Sequence, residues 1–126
     1  LDILSEARMG SLLLKGISKD ASKFNSYYAL ESLTINPAKS LGMENKIGSV
    51  EKDKAADLIA INFNKINSLP IFNPVSHIVN TIDRENITHS WVNGKCIMED
   101  RNVLTIDEGL INQKVQRFVK KFQENG

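Results

Sequence analysis

The stretch Ile47-Gly48-Ser49-Val50-Glu51-Lys52-Asp53-Lys54-Ala55-Ala56-Asp57-Leu58-Ile59-Ala60-Ile61 decides how the rest of the chain is read. Ile47 to Val50 predicts a short strand. Glu51-Lys52-Asp53-Lys54 predicts a charged turn, and Asp53 is one of the few non-glycine types that tolerates positive φ. Leu58 to Ile61 is apolar at every position, the pattern of a strand covered on both faces.

Upstream the pattern is helical. Residues 1–16 place Ile3, Ala7, Gly10 and Leu14 on one stripe, with Leu1, Leu4 and Leu12 widening it. Gly16 reads as the C-terminal stop. No Ser, Thr, Asp or Asn precedes Leu1, and no initiator Met opens the chain, so the start reads as a cut into a larger structure. Residues 18–26 are polar and form a loop. A second helix is expected over roughly residues 27–35, broken at Asn36-Pro37 because proline disfavours helical backbone before it. Pro37 then opens a short helix capped by Asn36. Leu30, Leu33, Ala38 and Leu41 carry one apolar side through the break, and Gly42 ends it in the left-handed region.

Downstream, residues 62–76 predict a long loop, and residues 75–82 a short helix or a strand. Asn93-Gly94 between two alternating runs is the type I′ hairpin signal. A two-residue loop pairs Val92 with Lys95, Trp91 with Cys96, Ser90 with Ile97 and His89 with Met98. Ile87, His89, Trp91, Cys96 and Met98 then share the inward face. Thr105-Ile106-Asp107-Glu108 reads as a capping box opening a last helix. Ile111, Val115, Phe118 and Phe122 form its stripe, with Leu110 and Val119 beside it. Lys114, Arg117, Lys120 and Lys121 mark its solvent side.

Composition narrows the class. The 126 residues suit one domain's worth of chain, and 41% apolar content allows a core. Sixteen Lys+Arg against fifteen Asp+Glu give a net charge of +1, no footprint for nucleic acid or an anionic membrane. No apolar run reaches the roughly 18 residues of a membrane span, and the start lacks a signal peptide's basic region and cleavage site. Cys96 is the one cysteine, which fits a reducing compartment. A soluble, cytoplasmic protein is expected.

Chemistry is sparse. His77 and His89 have no Cys or His at ligand spacing, whereas zinc needs three or four converging donors. His89 lies on the apolar hairpin face and reads as a hydrogen-bonded core histidine. His77 follows the Asn73-Pro74 turn, where it could approach a ligand or a subunit interface. Cys96 opposite Trp91 reads as a small hydrophobe. Asp53, Asp57, Asp100 and Asp107 have turn or capping explanations, and Gly42, Gly48 and Gly94 form no phosphate loop. No catalytic, cofactor-binding or metal-ligating residue is assigned.

Four motifs in order carry a resemblance. Ala29 to Gly42 (ALESLTINPAKSLG) looks like the late barrel helices of the amidohydrolase superfamily. Ile47 to Ile61 is similar to that family's G-S-[LIV]-E-x-G-K-x-A-D-L-[VI] signature, and Ser90 to Lys95 resembles its V-N-G-[KR] hairpin. Leu1 to Glu6 resembles the segment just after the last barrel strand. The branch most resembled is the methylthioadenosine/S-adenosylhomocysteine deaminase and chlorohydrolase group. Two positions depart from the pattern: Asp53 stands where glycine is usual, and Arg101 follows Asp100 where glycine is common.

The resemblance implies an α+β fold: terminal helices of a (β/α)8 barrel in residues 1–42, then part of a small β-sandwich with its hairpin and a closing helix in residues 43–126. It implies a parent enzyme, a metal-dependent hydrolase using zinc or iron held by histidines and an aspartate upstream of Leu1. The parent reaction would be hydrolytic deamination of an adenine nucleoside or related heterocycle, and the segment itself would be inactive. Its expected partners are the missing N-terminal part of the same enzyme and further copies of the chain, because unpaired sheet edges favour self-association. The alternative is a self-standing α+β binding or assembly module without catalysis.

Overall fold

The structure, a computed structural model, describes residues 2–124. Its elements are α1 (Ile3–Ser18), α2 (Ser26–Leu33), α3 (Ile35–Ser40), β1 (Leu58–Ile61), α4 (Pro74–Asn80), β2 (Ile87–Val92), β3 (Lys95–Glu99), β4 (Asn102–Val103) and α5 (Glu108–Glu124). The fold is α+β, with one antiparallel sheet in the order β1-β2-β3-β4. Packing between elements is mainly helix on helix (α1, α2, α3 and α4) and strand beside strand.

Leu1 lies outside the described residues. Contrary to the expected uncapped start, α1 has a cap: the Asp2 carboxylate accepts from the Ser5 amide at 3.2 Å. Gly16 is not the stop. The helix runs on to Ser18, and Lys19 takes the left-handed position at φ 52°. The buried stripe is Leu4, Ala7 and Ser11, while Ile3 and Leu12 are about 60% exposed. The Ser11 hydroxyl reaches the carbonyl of Phe24 at 3.0 Å, so a polar residue sits on the packed face without an unmet group. Arg8 lies on the same side. Its guanidinium donates to the carbonyls of Val79 and Ile82, closing the C-terminal end of α4.

The break between α2 and α3 falls at Thr34, not at Asn36. Pro37 is the third residue of α3, inside the first turn, where a missing amide removes no intrahelical bond. Gly42 does take φ 65° as expected. Residues 47–50 are not a strand. Gly48 stands at φ 91° and interrupts any extended run, and the Met43 carbonyl gathers the amides of Lys46 and Ile47.

The strand at 58–61 forms, but it is not covered on both faces: Ile59 is 50% exposed. Residues 74–80 resolve as a helix, with Asn73 capping at the Ser76 amide. The hairpin turn is as read, with Asn93 at φ 49° and Gly94 at φ 76°. Its register holds for Val92–Lys95 and Trp91–Cys96, then slips. Ser90 opposes Met98, so the expected Ser90–Ile97 and His89–Met98 pairs do not form, and Ile97 is the extra residue of a bulge. A second bulge makes Thr88 the extra residue where β2 meets β1. The expected inward face is half-buried.

The capping box at Thr105 does not form. Asp107 caps α5 instead, accepting from the Leu110 amide at 2.9 Å. Asp107 lies one residue before the first helical turn, where a carboxylate also meets the positive end of the helix dipole. No residue of α5 is buried among those described.

Candidate functional site

The signature residues converge at the junction of the helices and the sheet, and their work is mechanical. Gly48 comes first. A β-carbon there would lie 2.7 Å from the Ala38 β-carbon and 3.1 Å from both the Ile35 α-carbon and the Thr34 carbonyl oxygen. Only glycine lets the loop lie flat on α3, and only glycine takes φ 91° without strain.

Ser49, Glu51 and Lys54 form a closed set. Lys54 donates to the Ser49 hydroxyl and to Glu51 at 3.1 Å, and Ser49 donates to the same carboxylate. The Lys54 side chain is nearly covered while Glu51 stays open to solvent. Asp53, where the family pattern has glycine, takes φ 71°, and Arg101, the other departure, takes φ 69°. The backbone keeps the glycine-type shape at both positions despite the side chains.

The Ser49 hydroxyl bond, then the Lys54 bond and charge, hold the Glu51 carboxyl below its ordinary value of 4.5. A lowered folded value means stability that is present above pH 4.5 and is lost as pH falls through the folded value. Urea unfolding midpoints should therefore fall with acidification below pH 4.5, and Glu51→Gln should flatten that part of the dependence. Equal slopes in both proteins would refute the assignment.

Asp57 closes the other side. Its Oδ1 accepts from the Asn93 amide at 2.6 Å, and the Ala56 carbonyl accepts from the Gly94 amide at 3.0 Å. The Asp of the first motif thus holds the Asn-Gly of the second, thirty-six residues later. Sequence reading explained Asp57 as a local turn residue and missed this link.

Beside the junction lies an open groove of about 480 Å³, lined by Leu30, Leu33, Pro37, Leu41, Ile47 and Val50, with Asp57 as its only carboxylate. That carboxylate already serves Asn93. The groove offers a mainly apolar surface, and its one further polar group of note, the Ser49 hydroxyl, is held between Lys54 and Glu51.

The histidines do not come together at a site. His77 Nδ1 lies 3.0 Å from the Asn73 carbonyl, within its own helix. His89 Nδ1 lies 2.9 Å from the Thr88 hydroxyl, and its ring stacks on Trp91 at 5.5 Å and 8°. It is hydrogen-bonded as expected but only half-buried. Cys96 is half-buried, with Sγ 3.2 Å from the Met98 carbonyl. Among the described residues no group of three or more His, Cys, Asp or Glu could hold a metal ion. Zinc or iron of the kind the resemblance implies finds no donor set among the described residues.

No helix of the described residues is long and apolar enough to cross a membrane.

The staple of glycine, turn and hairpin defines a class. Residues 1–97 match the amidohydrolase family, and the chain belongs to it. The chain is 41% identical over 123 residues to a 5-methylthioadenosine/S-adenosylhomocysteine deaminase of Saccharophagus degradans, covering 98% of this chain and 28% of that protein. It is 35% identical to a 5'-deoxyadenosine deaminase of Methanobrevibacter smithii, covering 98% and 29% of the two. Among solved structures, a zinc-bound adenosine deaminase from Xanthomonas campestris superposes with a TM-score of 0.87 at 24% identity, over 96% of this chain and 28% of that one. The zinc complex of the atrazine chlorohydrolase TrzN from Arthrobacter aurescens superposes at 0.79 and 18% identity, over 90% and 25%. At those identities the two structures speak for the fold alone. The chain spans little more than a quarter of the length of the curated relatives it matches.

Proposed function

We propose that this chain is the C-terminal structural part of a metal-dependent amidohydrolase that hydrolytically deaminates an adenine nucleoside or a related heterocycle. Residues 1–42 supply the terminal barrel helices, and residues 43–126 supply part of the β-sandwich and the closing helix. The reacting groups and the metal belong to the remainder of the enzyme, and the chain by itself does not catalyse. Relatives named for deaminating 5-methylthioadenosine, S-adenosylhomocysteine and 5'-deoxyadenosine support the reaction class. Zinc in the matched structures supports the metal.

One observation carries the structural role: the surface is too large. The chain exposes 9585 Å², whereas a compact monomer of 14.1 kDa exposes roughly 6,700 Å². The excess, about 2,900 Å², is of the order that one side of a large permanent interface gives up. Apolar side chains supply much of it: Val50, Ile66 and Phe72 are each more than 80% exposed. The buried apolar residues among those described are Leu4, Ala7, Ala29, Ala38, Val79 and Ile82, three of them alanines. A self-standing module would close a larger core than that.

The test is ammonia release from 5'-methylthioadenosine and adenosine, with zinc measured alongside. The purified chain is expected to release none and to retain no stoichiometric zinc. The product of the extended reading frame is expected to do both. Ammonia release by the 126-residue chain alone would sink the proposal.

A further inference from the structure

The hairpin turn carries a chemical liability separate from its structural role. Asparagine is among the thermally labile residues, and it is most labile before glycine. A glycine has no side chain to shield its amide nitrogen, and that nitrogen can attack the side-chain carbonyl carbon of the asparagine before it. Asn93-Gly94 is such a pair, at an exposed turn. The Asn93 carboxamide is bonded to no described residue, so its carbon is open to attack. Gly94 is uncrowded: even an added β-carbon would meet nothing within 4 Å. What stands in the way is the backbone. The Gly94 N–H is donated to the Ala56 carbonyl at 3.0 Å, which holds the proton that must leave before the nitrogen can attack. The Asn93 N–H is donated to Asp57 Oδ1 at 2.6 Å, which pins the attacked residue at φ 49°. It also sets a carboxylate close to the peptide where the nitrogen anion would form, and like charges disfavour that ionisation.

We infer that Asn93 is a spontaneous deamidation site of this chain, and that the Asp57–Asn93 and Ala56–Gly94 bonds set its rate. The Gly94 nitrogen gives its proton to water or hydroxide and bonds to Asn93 Cγ, closing a five-membered succinimide. The Cγ–Nδ2 bond breaks and ammonia leaves with the returned proton. Water then opens the ring at either carbonyl, giving aspartate or isoaspartate. The net change is carboxamide and water to carboxylate and ammonia, with no oxidant or reductant. Ring closure needs the turn to rotate, so it proceeds only from the minor state in which both bonds are open. The product places a second negative charge near Asp57. Its isoaspartate form adds a bond to the main-chain path of a two-residue turn, which disturbs the Val92–Lys95 pairing. The modification thus loosens the clamp that delays it. The ammonia released is at most one per chain and requires no nucleoside, so it is separable from the deaminase assay.

Peptide mapping by mass spectrometry on the full 126-residue chain, incubated at neutral pH, tests the inference. Mapping separates residue 93 from the same dipeptide at Asn125-Gly126. In buffer, conversion at Asn93 is expected to be slower than in concentrated urea by roughly tenfold or more. Asp57→Ala should speed it roughly tenfold in buffer while helix content by circular dichroism stays unchanged. In urea the parent and Asp57→Ala chains should convert alike, because Asp57 is remote in sequence. If Asp57→Ala unfolds outright, hydrogen exchange on the parent chain decides. The Gly94 amide should be protected, and deamidation should rise with added urea in step with its exchange. Equal rates in buffer and urea would overturn the inference. So would an unchanged rate in a folded Asp57→Ala chain, an unprotected Gly94 amide, or an Asn93 that stays inert even in urea. None of these results bears on the deaminase reading.

Discussion

Gly48→Val is expected to lower the stability of the chain by about 3 kcal/mol or more. Two independent terms add. The new β-carbon would stand 2.7 Å from the Ala38 β-carbon and 3.1 Å from backbone atoms of Ile35 and Thr34. Neither backbone can yield without moving α3, and overpacking of this kind costs about 1–3 kcal/mol. A φ of 91° adds strain for any L side chain, on the order of 1–2 kcal/mol. Urea unfolding followed by circular dichroism measures the sum. Gly10→Ala is the control, because nothing lies within 4 Å of its added β-carbon and the helix runs straight through it. That substitution should stabilise by about 0.5–1 kcal/mol. If both substitutions had the same small effect, the close approach of the loop to α3 would be refuted.

Asn86→Ala is expected to cost about 3 kcal/mol. Asn86 is fully buried and uses all its side-chain polarity. Its Nδ2 donates to the Asn62 carbonyl at 3.0 Å and the Ser68 hydroxyl at 3.2 Å, and its Oδ1 accepts from the Asp83 amide at 3.3 Å. Its own carbonyl accepts from the Asn62 amide at 2.8 Å. Three loop segments are tied to one side chain, and truncation removes three hydrogen bonds, each worth about 1 kcal/mol net, at a fully buried position. Asn86→Asp tests the same point differently, since it keeps the shape but replaces two donors with an acceptor. Thermal unfolding should show both variants well below the parent protein, by about 5–10 °C or more. A loss under about 0.5 kcal/mol would mean that the network is already open to water.

What was legible in the sequence, and what was not, divides along one physical line. Local signals held. Asn93-Gly94 gave the turn because positive φ at both positions suits few other pairs. Gly42 ended α3 for the same reason. Asp53, read as tolerant of the left-handed region, adopts it. Signals that depend on distant partners failed. The Ile47–Val50 run had strand composition, but Gly48 had to fit against α3, a contact no local pattern encodes. The hairpin register was right up to Trp91 and wrong beyond it, because bulges at Ile97 and Thr88 answer to the neighbouring strands. Thr105 and Asp107 both offered caps to α5, and the residue nearer the first turn took the role.

The junction site was half legible. The motif was visible, and so was the order of its glycine, turn and hairpin along the chain. That Asp57 reaches Asn93 could not be read, because cross-strand partners at a loop are set by the folded path and not by spacing. Asn86 carried no signal. An asparagine in a polar loop reads as a turn former, and only the converging backbone groups around it reveal a buried hub.

Because helices mainly pack on helices and strands on strands, the two groups communicate through the short connecting segment that Gly48 seats and Asp57 fastens. Amide protons in α2 and in the hairpin should then exchange with solvent as a single cooperative unit while that segment is intact. Cutting the Asp57–Asn93 bond would let the hairpin open on its own, at a lower free energy than the helices.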